Sequence, residues 1–209
     1  MGPRFSSNEE TNGRYGPAAT ARATILSRAV AIASVDGLEG LSINMLASGL
    51  GISASDVSIL FGNRQALQLE VLDTTIEIFT AAIVKPTLEE SSSIKRLLRL
   101  CEGWFDYVEQ RGRGGCILYA AAEEYRSRPG PVRDRVNFHR TAWLGLLKAT
   151  IAKAKRAAEF GRGIDVEQLT FELTAFQEAA HSAAIAGDQA AFLRARNSCH
   201  NRVAEGRTR

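Results

Sequence analysis

The chain has no run of about 18 apolar residues, the length a helix needs to cross a bilayer, so nothing in it reads as membrane-spanning. It has only three cysteines, Cys101, Cys116 and Cys199, and none forms a CxxC pair. That odd number and spacing exclude a disulfide framework and a zinc knuckle, and read as reduced thiols in a reducing compartment. Residues 1–17 are polar, with glycine and proline in place of the apolar stretch of a secretion signal. These absences set the expectation of a soluble, cytoplasmic protein that does not touch membranes. Also missing are a Ser/His/Asp constellation, paired carboxylates in a plausible pocket, HExxH and a phosphate-binding glycine loop. His139 and His181 stand alone in apolar segments. No enzyme activity, metal or cofactor is expected.

Aromatic residues are few, at 7%, and no segment shows the period-two alternation of a half-buried strand. Alanine, which loses no side-chain entropy in a helix, is abundant instead. With 45% hydrophobic and 23% charged residues, the 209-residue chain can build one large or two small cores. The net charge of +3 permits nucleic-acid binding without demanding it.

Apolar spacing predicts an all-α fold of about nine helices. Residues 1–17 read as a disordered arm. A helix opens near Thr20, carries Ile25, Ala29, Val30 and Ala33 on one face, and stops at Asp36-Gly37. Ser42 caps a short helix, Gly49-Leu50-Gly51 breaks it, and Ser53 caps a second short helix. Leu46, Ile52, Val57 and Leu60 are expected to close a small core. A longer helix follows from Arg64 to about Val84, stopped by Pro86. Further helices are expected from Ser91–Ser93 to Gly112, over 116–127, 131–160 and 165–186, and over roughly 188–203.

Two short helices around a glycine turn, braced by a longer first helix, make a helix-turn-helix whose second helix can enter a DNA major groove. The stretch S-I-x-x-L-A-x-x-x-G-I-S followed by L-F-x-N-R-x-A-L resembles the DNA-binding domain of TetR-family regulators. The resemblance implies that Ser42 and Asn44 brace the DNA backbone. It implies that Ser53, Ala54, Ser55, Asp56, Ser58 and Ile59 form the groove-facing helix, and that Arg64 meets a phosphate. The chain departs from the family pattern after Ser53, where relatives commonly carry a basic residue and then glycine, threonine and an aromatic. Between Thr20 and Leu67 the bases Arg22, Arg28 and Arg64 balance the acids Asp36, Glu39 and Asp56. Phosphate neutralisation supplies much of DNA affinity, so this head is expected to bind more weakly than its relatives unless Arg4, Arg14 and Arg22 on a flexible arm compensate. Asp56 reads either as an acceptor from cytosine or as an acid at a helix N-terminus. Ile59 reads either as a contact to a thymine methyl or as a semi-exposed apolar residue.

Residues 100–136, with W-x-D-Y-V, G-G-C, A-A-A-E and R-P-G-P-V-R-D, resemble the C-terminal half of one TetR subgroup. The resemblance implies a small-molecule cavity lined by Trp104, Tyr107, Cys116, Tyr119, His139, Trp143 and Phe176. Each of these fits ordinary helix packing equally well. Cys116, beside a Gly-Gly turn, reads as a thiol activated by a helix N-terminus or as a buried inert one. Ala175, Ala179, Ala183 and Ala186 form a flat stripe, and with Phe192 on the last helix they suit a C2 intersubunit four-helix bundle.

The expected organisation is an arm (1–17), a DNA-binding domain (18–66) and an effector-binding and dimerisation domain (67–204). The expected function is a homodimeric repressor on a pseudo-palindromic operator, released by a small apolar or amphipathic molecule. Tilting of the fourth helix, with freedom near Lys85-Pro86, would transmit the signal. The competing expectation is a small-molecule- or protein-binding module with a degenerate head.

Overall fold

The computed structural model describes residues 17–111 and 114–207, so the expected disordered arm with Arg4 and Arg14 lies outside the described residues except at Pro17. Nine α-helices and no strand occur among the described residues. Helix ends follow side-chain chemistry. Ser42, Ser53 and Asn63 each accept a backbone N–H at the starts of α2 (Ile43–Leu50), α3 (Ala54–Phe61) and α4 (Arg64–Phe79). Asp165 and Asp188 do the same for α8 (Val166–Ala186) and α9 (Gln189–Glu205). Each oxygen meets a donor that the first turn leaves unpaired. α1 (Pro17–Asp36) stops at Gly37, whose φ is +75°. Between α2 and α3 the left-handed residue is Gly51, at φ +66°.

Two helices end earlier than their apolar pattern suggests. α4 gives way at Thr80 to a π-helical turn (Thr80–Val84) and a 3-10 turn (Lys85–Thr87) that contains Pro86. α7 (Pro131–Arg156) stops short of 160 because the following residues have work outside the helix. Phe160 is buried and bridges to Arg207. Glu159 accepts the N–H groups of Ser93 at 2.9 Å and Ile94 at 3.1 Å. Its negative charge thus sits at the N-terminus of α5 (Ser93–Arg111), where the helix dipole favours it.

α1 packs on α4 with α2 and α3 beside it, and α6 (Ile117–Glu124) and α7 pack on α4 as well, with α5 and α8 against α7 and α9 against α5 and α8. Leu38, Leu41, Leu46, Val57 and Leu67 are fully buried under the N-terminal helices. Ile52, expected in that core, is 37% exposed. Its N–H closes the turn onto the Ala47 carbonyl at 3.1 Å, which leaves the side chain outside. Phe138, whose spacing on α7 reads as apolar face, is likewise exposed.

The C-terminal core is an aromatic stack. Phe79, the last residue of α4, meets Tyr107 of α5 and Trp143 of α7 edge-on at 5.3 and 5.2 Å. Trp104 packs edge-on against Phe105, and Phe105 against Phe192 of α9. Such pairs add about 0.5–1.5 kcal/mol each beyond the area they bury. Arg196 of α9 also reaches Glu102, Asp106 and Glu109, which recur along one face of α5. No helix among the described residues is long and apolar enough to cross a membrane.

Candidate functional site

α3 turns Val57 and Phe61 inward and leaves Ser55, Asp56 and Ile59 exposed, with Ser58 half-buried. Ile59 is 81% exposed, the most of any large apolar residue described. Asp56 is bound into the helix start. The Ser53 N–H and hydroxyl both donate to its Oδ2, at 3.3 and 2.7 Å, and the Ser53 oxygen accepts the Asp56 N–H. This capping box satisfies donors that a helix start otherwise leaves to water. Asn44 is exposed on the first turn of α2 and Ala54 half-buried at the start of α3. α3 carries no basic residue.

Two of the basic residues of the N-terminal helices, Arg22 and Arg64, have internal partners. Arg64 Nε donates to the Leu41 carbonyl at 2.9 Å, and its terminal nitrogen reaches the Glu39 carbonyl and carboxylate. Arg22 does not lie on a flexible arm. α1 begins at Pro17 and holds Arg22 on its surface, where it donates to the Leu60 carbonyl at 2.6 Å and pairs with Glu70. Its guanidinium also lies 4.6 Å over the Phe61 ring.

A cavity of about 580 Å³ opens between α7, α8 and the start of α6 (Ile117–Glu124). Phe79, Trp104, Tyr119 and Trp143 supply aromatic walls, and Cys116 and Leu118 supply part of the α6 side. Of the residues expected here, Trp104, Cys116, Tyr119 and Trp143 line it. Tyr107, His139 and Phe176 lie outside the lining. Tyr107 is buried behind Phe79, His139 bonds Asp73 of α4 at 3.0 Å, and Phe176 packs on the core. Two ion pairs, Arg140–Glu178 and Lys148–Glu167, bridge α7 and α8 at the cavity edge. Their charges cancel, so the site favours no ionic sign.

The tips of the aromatic walls converge behind the cavity. The Trp143 indole N–H and the Tyr119 hydroxyl donate to Gln177 Oε1, at 2.9 and 3.4 Å. His181 Nδ1 accepts the Cys116 N–H at 3.1 Å. Burial pushes the His181 pKa below its usual value, which keeps the ring neutral and able to accept. Burial also raises the Cys116 thiol, so the inert reading fits this environment and the activated one does not. Burial pushes Tyr107 up to about 12.

α6 joins the two regions. Its first turn lines the cavity, and Glu124 at its end accepts the N–H groups of Leu38 at 3.0 Å and Glu39 at 2.8 Å, in the turn between α1 and α2. The Tyr125 hydroxyl donates to Glu39, which also pairs with Arg128 and Arg64. The Tyr125 hydrogen bond leads the contacts that hold the Glu39 carboxyl below its ordinary pKa, with burial opposing it. Gln68 of α4 adds a bond to the Leu38 carbonyl at 2.7 Å.

Residues 93–199 match the model of the tetracyclin repressor-like C-terminal domain. The chain belongs to the TetR family. No curated protein sequence matches it. Among solved structures, a TetR-family transcriptional regulator from Cytophaga hutchinsonii shares 20% identity at a TM-score of 0.77, over 94% of this chain and 99% of that one. A transcriptional regulator from Saccharomonospora viridis, solved in complex with choline, shares 19% at 0.78, over 91% and 98%. AibR, solved with isovaleryl coenzyme A and operator DNA, shares 15% at 0.63, over 77% and 85%. These likenesses show the TetR fold.

As a TetR-family member, the chain is a ligand-responsive transcription regulator in outline. Sequence reading missed Phe79, Arg140, Thr170, Phe171, Thr174 and Glu178 of the cavity lining. Thr170, Thr174 and Glu178 recur four apart on α8, a signal present in the sequence but overshadowed by the adjacent alanines. Ala175, read only as a dimer residue, lines the cavity as well. Ala179 and Ala186 are exposed, while Ala183 and Phe192 are buried within their own protomer.

Proposed function

We propose that this TetR-family protein is a homodimeric repressor that leaves a pseudo-palindromic operator when a small apolar or amphipathic molecule fills the cavity. Residues 18–66 read DNA, and residues 67–204 sense the effector and dimerise. Ser42, Asn44, Ser53, Ala54, Ser55, Asp56, Ser58 and Ile59 form the DNA-facing surface. Arg64 reaches a phosphate while bracing the turn before α2.

The observation that carries this reading is the placement of α6. A single eight-residue helix lines the cavity at one end and holds the α1–α2 turn through Glu124 at the other. An effector that displaces Cys116, Leu118 or Tyr119 therefore displaces the acceptor of two backbone donors under the DNA-reading helices. Phe79 gives α4 a second contact with the same cavity, just before its π-helical turn. Such turns concentrate at functional sites in helices. The effector acts by favouring one of two arrangements that differ in operator affinity. The apolar walls, aromatic in part, and the balanced edge charges favour an uncharged or amphipathic effector. The choline and isovaleryl coenzyme A bound by structural neighbours support a small-molecule role without naming the molecule.

Dimerisation uses the outer faces of α8 and α9, where Ala179, Ile185, Ala186 and Leu193 are exposed. Apolar groups left facing water at this density suit a partner surface.

Selection of bound DNA from a random pool tests the reading. The expected result is a pseudo-palindrome whose affinity falls with salt. No enrichment at low salt overturns it in favour of a binding module with a degenerate head, a reading supported by the absence of basic residues on α3.

A further inference from the structure

We infer that Ile59 is the residue that sets operator sequence, by packing on the 5-methyl group of a thymine in each half-site. The inference rests on the DNA-binding reading above and assigns the chemistry of its specificity.

Ile59 projects from α3 with 81% of its surface exposed, although Val57 and Phe61 of the same helix are buried and Leu60 is half-buried. It makes no contribution to the core, and a β-branched side chain on an exposed helix face has below-average helix propensity. Local stability therefore gives no reason for it.

Two of the polar groups on the same face are engaged in the helix cap. Asp56 Oδ2 accepts both Ser53 donors, and the Ser55 hydroxyl, 2.8 Å from the Ser53 oxygen, donates to it. A base contact made by Asp56 Oδ2 or by the Ser55 hydroxyl proton competes with the cap that starts the helix. Ile59, one turn beyond Ser55, can meet a base edge with no such loss. In the major groove the thymine methyl is the feature an aliphatic side chain recognises. With no cation on α3, this contact carries a larger share of base discrimination than in a helix that uses arginine on guanine.

The test uses the full chain and the DNA it selects from a random pool. Each thymine of the selected site is replaced in turn by uracil, which pairs identically and lacks only the methyl group. One position per half-site should weaken binding by about fourfold, the value of one buried methyl. Replacing both should weaken it by about tenfold or more. Ile59→Ala should bind the thymine site with similarly reduced affinity and no longer distinguish thymine from uracil there. Thermal melting of Ile59→Ala should match the parent, which separates a lost contact from a lost fold. Binding indifferent to every uracil replacement overturns the inference while leaving the regulator reading intact. So does an Ile59→Ala variant that keeps the full thymine preference. Failure to select any DNA overturns the regulator reading and this inference together.

Discussion

Helix α3 and the cavity are built from opposite materials. α3 exposes small polar groups tied into its own cap, a single projecting isoleucine and no charge left over for phosphates. The cavity is walled by large aromatic rings, several packed edge-on at 5.2–5.7 Å, with paired charges at its edge. The first is a surface fixed by local hydrogen bonds within a few residues of chain. The second is assembled from α4, α5, α6, α7 and α8 and depends on how they pack. A surface of the first kind stays rigid when the body shifts, while one of the second kind is open to remodelling by an occupant. Two links join them, Glu124 with its neighbours at the end of α6, and α4, which carries Phe79 to the cavity.

The largest expected effect falls on the Glu124 link. Glu124→Ala removes the acceptor of two backbone donors. Bonds to charged groups are worth about 1.5–3 kcal/mol each, and water reaching the half-buried carboxylate lowers the pair to about 2–3 kcal/mol of stability. Urea unfolding measures it, and a loss below about 0.5 kcal/mol, the range of an ordinary surface change, would show that Glu124 does not hold the turn. Arg64→Ala comes next. If bracing the Leu41 and Glu39 carbonyls is its main role, stability falls by about 1–2 kcal/mol. If Arg64 also meets a phosphate, the slope of log affinity against log salt drops by about one unit in addition.

The smallest effect belongs to His181. Its folded pKa is lowered by burial, so protonation favours the unfolded chain. The stability it contributes is present above about 6.5, the unfolded value, and is lost as pH falls toward the lower folded value. Thermal melting should decline across that window, and His181→Asn, which keeps an acceptor near the Cys116 N–H, should flatten the decline. An unchanged profile in the variant would place the titration elsewhere.

The N-terminal helices were legible in the sequence because their boundaries depend on neighbours in the chain. Ser42, Ser53 and Gly51 do in the structure what their chemistry dictates locally. The cavity was legible only as a set of aromatics and one cysteine, of which Trp104, Cys116, Tyr119 and Trp143 line it. Arg140 and Glu178 meet across 38 residues of chain, and Phe79 reaches the cavity from the end of α4, so no spacing rule announces them. The early ends of α4 and α7 were hidden for a related reason. Phe160 and Glu159 leave the helical path for tertiary partners in the core and at the start of α5. Nothing near Glu124 in the chain marks its role, because its partners are backbone groups 85 and 86 residues away.

Amide hydrogen exchange at Leu38 and Glu39 tests most directly whether α6 couples the cavity to the N-terminal helices. The full chain is measured free and saturated with N-phenyl-1-naphthylamine, an uncharged aromatic probe, with its fluorescence confirming occupancy of the cavity. The account predicts that exchange at these two amides changes by about tenfold, equivalent to about 1.4 kcal/mol, while the buried amides of α9 stay constant. Occupancy that leaves Leu38 and Glu39 unchanged would contradict it.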